Sequence, residues 1–351
     1  MGTQTPFDRL RRSLTALGRP LVRPNALRSK LLILSTRLHS SFDRLRRSEA
    51  AQGWLLISPT ALYALLLLAA PLATIFAFSF MTDGYLEVVN QFSLCNYAGS
   101  CGVFDGQGDA RVFKPDQYAG AWSDPIFLKI MLRSLTVAIF VTLATVVLAY
   151  PIAYFVSFHV KPDRKALWLF LITIPFWTSY LIRVFLWKVI LGYGGVINSG
   201  LLSIGIIEEP LTFFNYSTFS IVLTLAHAYA PFAILPIFVA LEKIDRSLLE
   251  ASRDLGEGYI VSFLRVTLPL SMTGVVSSVL IVFIPTVGDY VTPSLVGGGK
   301  IPMVANLIQS RMLDLDNKPA GSAMAVSAMA IVALISILFL MMNRRYLRGN
   351  K

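Results

Sequence analysis

Charge is scarce in this chain of 351 residues: 15% are Asp, Glu, Lys or Arg. Soluble globular domains carry about 25%. Acidic residues are scarcer still, 20 against 31 basic ones, which leaves a net charge of +11. Histidine occurs three times, as His39, His159 and His227, too far apart in sequence for a metal-ligand cluster. His227 falls inside an apolar stretch, where a hydrogen bond to a neighbouring helix and a ligand role are both open. No Ser/His/Asp grouping has a local signature. The run Gly297-Gly298-Gly299-Lys300 lacks the first glycine and the Ser/Thr of a phosphate loop, with Ser294 and Ile301 in those places. These absences argue against an enzyme, against a metal site and against a nucleotide held by this chain. Strict alternation is also missing from the apolar runs, which argues against a membrane barrel.

Apolar residues are abundant instead, at 55%. A helix that spans a bilayer needs about 20 consecutive apolar residues. Six stretches meet that length, at roughly 54–82, 131–159, 166–190, 218–241, 270–296 and 320–342. The expectation is an all-α polytopic membrane protein with one transmembrane domain over 54–345. Residues 1–53 form a basic extension and 346–351 a short tail.

Basic residues gather in four blocks that alternate with the stretches. Eleven lie in 1–53; Lys161, Arg164 and Lys165 follow the second stretch; Lys243, Arg246, Arg253 and Arg265 follow the fourth; Arg344, Arg345, Arg348 and Lys351 close the chain. Loop 191–217 has none. By the positive-inside rule these blocks, and both termini, are cytoplasmic. The charge therefore points to membrane lipid as the partner and not to nucleic acid. The extension repeats FDRLRRS at 7–13 and 42–48. A basic amphipathic segment on an anionic leaflet and a plain orienting tail both fit, although Gly18, Pro20 and Pro24 interrupt any helix between the copies.

Cys95 and Cys101 share the first outer loop, 83–130, with Asp105, Asp109, Asp116 and Asp124. A disulfide closing a small loop and two free thiols are both open there. In the second outer loop, 196–207 is apolar enough to lie as an interfacial helix.

The segment 242–269 is polar between two apolar stretches. Glu250-Ala251-Ser252-Arg253-Asp254-Leu255 favours a helix, Gly256 and Gly258 break it, and Tyr259 to Val266 reads as a second helix before Pro269. A structured polar loop on the basic side reads as a docking surface for a soluble partner. Its spacing resembles the signature of permease subunits of binding-protein-dependent ABC importers: Glu-Ala-Ala, three residues, Gly, nine residues, Ile-x-Leu-Pro. Here the matching residues are Glu250-Ala251-Ser252, Gly256 and Val266-Thr267-Leu268-Pro269, with Ser252 and Val266 as the departures. The resemblance implies a six-helix type I importer permease bundle, MetI-like, in a bacterial inner membrane. It implies that Glu250, Ala251, Ser252, Asp254, Leu255 and Gly256 engage a cytoplasmic ATPase. It also implies as partners a second permease subunit, two ATPase copies holding ATP and Mg, and a periplasmic binding protein, with no cofactor on this chain.

Two further segments, 175–183 and 288–298, resemble the first permease subunit of spermidine/putrescine importers. Iron, sulfate and phosphonate permeases of the same superfamily remain alternatives. A stand-alone secondary carrier is disfavoured by the few intramembrane charges. At 1.5 Å per residue along unbroken helices, Arg183 and Asp289 sit about 25 and about 28 Å above the inner ends of their spans. Two readings are open there. Asp289 with Trp177, Tyr180 and Tyr290 could hold an ammonium by charge and cation–π contact, or Arg183 and Asp289 could form a structural ion pair.

Overall fold

The computed structural model describes residues 49–84, 87–105 and 112–347. Both FDRLRRS copies and the basic residues Arg348 and Lys351 lie outside the described residues. The chain divides into two compact units at Pro71–Leu72, within the first apolar helix, α1 (Glu49–Phe78). No residue of its apolar window Leu56–Phe78 is buried.

The second unit is built on α2 (Pro125–Phe158), which starts earlier than the hydrophobic run suggests. Asp124 accepts the Ile126 N–H at 2.8 Å and Pro125 occupies the first turn, a strong helix start. Lys129 and Arg133 are therefore inside the helix. A loop leads from α2 to α3 (Pro162–Thr173), and a 3₁₀ turn, Ile174–Trp177, leads on to α4 (Tyr180–Leu191). The third apolar stretch is thus broken, where the sequence suggested one helix over 166–190. Pro175 removes an amide donor, and Thr178 and Ser179 are extended, with ψ of 143° and 140°. The rise computed along one straight helix does not apply to Arg183. Next comes α5 (Val196–Ser203), a short helix where the sequence suggested an interfacial one.

α6 (Thr218–Glu242) is capped by Ser217, and it has the most buried apolar window of the spans. The polar segment then forms α7 (Arg246–Asp254) and α8 (Tyr259–Ser262). A wide turn over Phe263–Thr267 and a short turn Leu268–Leu270 lead to α9 (Met272–Val287). The chain bends by 66° between Leu270 and Met272. Ser271 fixes the bend, bonding the Tyr150 hydroxyl of α2 at 2.7 Å. α9 ends at Val287, so Asp289 stands beyond the helix, at the start of α10 (Val291–Leu295). α11 (Val304–Gln309) and α12 (Lys318–Met342) follow, and α13 (Arg344–Leu347) ends the described residues. Among the described residues, five helical segments are long and apolar enough to cross a membrane, and the bent pair 259–270 with 272–287 supplies a sixth.

The main core joins α2, α6 and α9, with Val141, Ile221, Leu225, Ile237, Leu241 and Val282 fully enclosed. Small residues let the backbones approach. A Cβ on Gly274 of α9 would lie 2.5 Å from the Pro236 carbonyl and 2.7 Å from the Ala240 methyl of α6. Ser278 donates across the same seam to the Ala233 carbonyl at 2.9 Å.

The loop between α1 and α2 carries a sheet that the sequence reading did not anticipate. Its strands β1 (Thr82–Asp83), β2 (Val88–Val89), β3 (Ser100–Asp105) and β4 (Val112–Ala119) run in the order β2-β1-β3-β4. Cys95 and Cys101 are disulfide-bonded, with Cα atoms 5.1 Å apart. Buried Asn96 organises the loop. Its amide donates to the Ser79 and Met81 carbonyls, and its carbonyl accepts the Tyr118 hydroxyl at 2.7 Å.

Candidate functional site

The polar segment between α6 and α9 presents the first candidate surface. Asp245 starts α7 by accepting the Ser247 N–H at 3.0 Å. That bond, with a second from the Ser247 hydroxyl, holds the Asp245 carboxyl below the usual carboxylate range. Leu249 and Ser252 face inward and are buried, whereas Glu250, Ala251, Asp254, Leu255 and Gly256 are exposed. Gly256 has φ +85°, a left-handed conformation that glycine adopts without strain. It reverses the chain after α7, and Glu257 N–H then reaches back to the Ser252 carbonyl.

Ser252, the departure from the Glu-Ala-Ala pattern, has a partner. Its hydroxyl donates to Glu257 at 3.2 Å, and Arg265 binds the other Glu257 oxygen at 2.7 Å. Arg253 lies over the Tyr259 ring at 4.6 Å. The turn is therefore locked from within and presents Leu255, Tyr259 and Ile260 outward, 85%, 77% and 75% exposed. Tyr259 and Ile260 were not singled out from the sequence. Their signal is two large apolar residues directly after Gly258 in a polar loop.

A second cluster lies where α4, α6 and α10 meet. Arg183 is buried, and its guanidinium donates to three carbonyls: Pro175, Thr178 at 3.2 Å and Ala228 at 3.2 Å. Asp289, also buried, accepts the N–H groups of Val291 at 3.1 Å and Thr292 at 3.3 Å. Thr292 then bonds the Tyr180 hydroxyl at 2.8 Å. Tyr229 of α6 completes the group, with its hydroxyl reaching Tyr180. Tyr180 and Asp289 are thus brought together, side chain to side chain and through Thr292.

Arg183 and Asp289 do not pair among the described residues, which corrects the ion-pair reading. The two terminal nitrogens of the guanidinium bond two carbonyls at the break and one in α6, while its Nε finds no partner, and the carboxylate bonds the start of α10. Trp177 stands apart, 75% exposed and edge-on to Phe170. The Tyr290 side chain is half-exposed, while its carbonyl accepts the Asn306 amide. Thr292 and Tyr229 were missed because nothing local marks them. His227 accepts the Trp187 indole N–H at 3.1 Å, a hydrogen bond from α4 to α6. Lys300 lies over the Tyr216 ring at 5.3 Å.

This is a multi-pass helical membrane protein whose spans enclose a polar cluster and whose segment between α6 and α9 folds as an exposed helical turn. Residues 117–348 match the family model described as the binding-protein-dependent transport system inner membrane component. The chain belongs to that family. Among curated relatives, it is 35% identical over 221 residues to the spermidine/putrescine transport system permease protein PotB of Haemophilus influenzae, covering 63% of this chain and 77% of that one. It is 31% identical over 222 residues to the inner membrane ABC transporter permease protein YdcU of Escherichia coli, covering 60% and 70%. The fold is similar to that of a chain in the crystal structure of a bacterial alginate ABC transporter bound to its periplasmic protein. There the TM-score is 0.58 at 16% identity, covering 86% of this chain and 97% of that one.

Proposed function

We propose that this chain is a permease subunit of an ATP-driven importer and that it moves polyamines across a bacterial inner membrane. The similarity to a spermidine/putrescine permease over 77% of its length carries the substrate class. ATP and Mg are bound by a separate cytoplasmic ATPase, present in two copies, which receives α7 and the Gly256 turn. A second permease subunit and a periplasmic polyamine-binding protein complete the assembly. Both termini are cytoplasmic. The ionic contacts Lys165–Glu242 and Arg265–Glu257 and the docking turn occupy the basic side, in keeping with that orientation.

In this reading Glu250, Asp254 and the apolar tip Leu255, Tyr259 and Ile260 fill the ATPase socket, and Gly256 shapes the turn. On the other side, Tyr180, Tyr229, Thr292 and Asp289 line the path. Hydroxyls and one carboxylate there offer acceptors to a primary ammonium, with Trp177 and Tyr290 available as exposed aromatic faces. Arg183 holds the path's backbone in shape. ATP drives the change between inward and outward access only if substrate and ATPase each bind the two states unequally.

The test is uptake of labelled spermidine by vesicles holding the chain with its permease, ATPase and binding-protein partners. ATP-dependent uptake competed by putrescine, and unaffected by sulfate, ferric iron or phosphonates, is expected. Uptake that polyamines do not compete would sink the substrate assignment.

A further inference from the structure

At the docking side Glu242 ties three segment ends, and a fourth joins them through Ser157. Glu242 is the last residue of α6. It binds Lys165 of α3 with both carboxylate oxygens, at 2.6 and 2.8 Å. The Ser157 hydroxyl near the end of α2 donates to Glu242 at 3.1 Å, and Arg246, the first residue of α7, donates to the Ser157 carbonyl at 3.3 Å. Ile244 and Leu249 flank the start of α7 and are buried in the same core as Leu241. The docking helix therefore moves with α2 and α6 as one packed body.

α3 is different. None of its residues is buried, and only Leu169 and Ile172 pack partly against that core. Beyond it the chain breaks at Ile174–Ser179, and α4 is latched to α6 through Arg183 and Ala228. α3 is thus a strut with a break at one end and the Lys165–Glu242 tie at the other. Its further contacts with the body include Trp168 against Phe155 and the two partly buried aliphatics.

We propose that Lys165 and Glu242 are positioning residues that hold α3 to the body carrying the docking helix, so that α3 and the 174–179 break follow the movement of that body. The break in turn sets the place of Tyr180, the first residue of α4, and through Thr292 of Asp289. The inference rests on the reading that an ATPase drives this chain. An ionic tie suits the task because it holds at a short distance, is directional through two oxygens, and can be released and remade without repacking a core.

The experiment uses the whole complex in vesicles and measures spermidine uptake per ATP hydrolysed. Glu242→Gln and Lys165→Gln should each lower that ratio about five- to tenfold while assembly and basal hydrolysis persist, the scale on which residues along a coupling route act. The exchange Lys165→Glu with Glu242→Lys should restore most of it. Single variants with an unchanged ratio, or an exchange no better than the singles, overturn the proposal. Should the wild-type complex show no ATP-dependent uptake, the importer reading fails instead. A working wild type with unaffected variants removes only this inference.

Discussion

Arg183 of α4 donates to the Ala228 carbonyl of α6 at 3.2 Å while its other terminal nitrogen bonds the Pro175 and Thr178 carbonyls at the break in the third span. A break in lipid exposes carbonyls that water cannot reach, and each must find a donor inside the protein. A planar fork serves three acceptors at once, which a single ammonium cannot do in that geometry. Arg183→Lys should therefore lower stability although it keeps the charge. A loss of about 1.5–3 kcal/mol is expected, the worth of hydrogen bonds to a charged donor. Thermal unfolding in detergent measures it, and a lysine variant as stable as wild type would refute the role.

Asn96 should matter more to the loop between α1 and α2 than its small size suggests. Replacing it by alanine strips the Ser79 and Met81 carbonyls of this donor and the Tyr118 hydroxyl of one of its partners. Burial pushes the Tyr118 hydroxyl up to about 12, so it stays protonated and donating at any physiological pH. Each buried polar group left unpaired costs about 1–3 kcal/mol. Asn96→Ala should expose 79–121 to protease even with the Cys95–Cys101 bond intact. Equal cleavage of variant and wild type would show that the disulfide alone holds the loop.

Much of this molecule is legible in its sequence, and for identifiable reasons. The turn after α7 is local: helix formers, then Gly256 at φ +85°, then a second helical run, all within twenty residues. The break in the third span is not legible. Pro151 lies inside continuous α2 whereas Pro175 sits in a broken segment. What separates them is a buried arginine eight residues on that can satisfy the broken backbone. The four-stranded sheet is also hidden. Lys114-Pro115-Asp116 interrupts β4 with a residue that reads against a strand, and β1 pairs in parallel with β3 only through tertiary closure. Asp289 and Tyr180 meet through Thr292, 112 residues from Tyr180, and no periodicity encodes such a contact.

The start of α7 should respond to acid. The folded-state pKa of Asp245 is depressed by the Ser247 N–H and hydroxyl. Its stabilising effect is therefore complete above the unfolded value of about 4 and is lost as pH falls through the lower folded value. Hydrogen exchange at the Ser247 and Leu248 amides, corrected for intrinsic rate, should lose protection as pH falls below that value. Asp245→Asn keeps an acceptor but no titrating charge, so its protection should not vary over that range. A pH response in the asparagine variant equal to wild type would assign the effect elsewhere.

Gly274 is constrained by space. Any Cβ there meets α6 backbone and the Ala240 methyl closer than real contacts allow. Gly274→Val must push α9 away from α6 and break the Ser278 bond to Ala233. Overpacking of this kind costs about 1–3 kcal/mol. Unfolding in detergent should shift accordingly, and Gly274→Val combined with Ala240→Gly should recover part of the loss. No recovery would mean that this contact is not the tight one.

Gly256 is constrained by backbone conformation instead. A Cβ there meets nothing within 4 Å, yet φ is +85°. An L-residue in a left-handed conformation costs roughly 1–2 kcal/mol, with Asn and Asp better tolerated. The two glycines thus separate two mechanisms that a simple scan to alanine confuses. Gly256→Asn should keep the turn, and with it ATP-driven spermidine uptake near wild type. Gly256→Val should keep membrane insertion and assembly of the spans but shift Leu255, Tyr259 and Ile260 off their common tip and lower uptake about tenfold or more, since misplacement by an ångström is enough for such losses. If valine transports as well as asparagine, the turn geometry is not what the ATPase reads, and the docking role must pass to the body of α7.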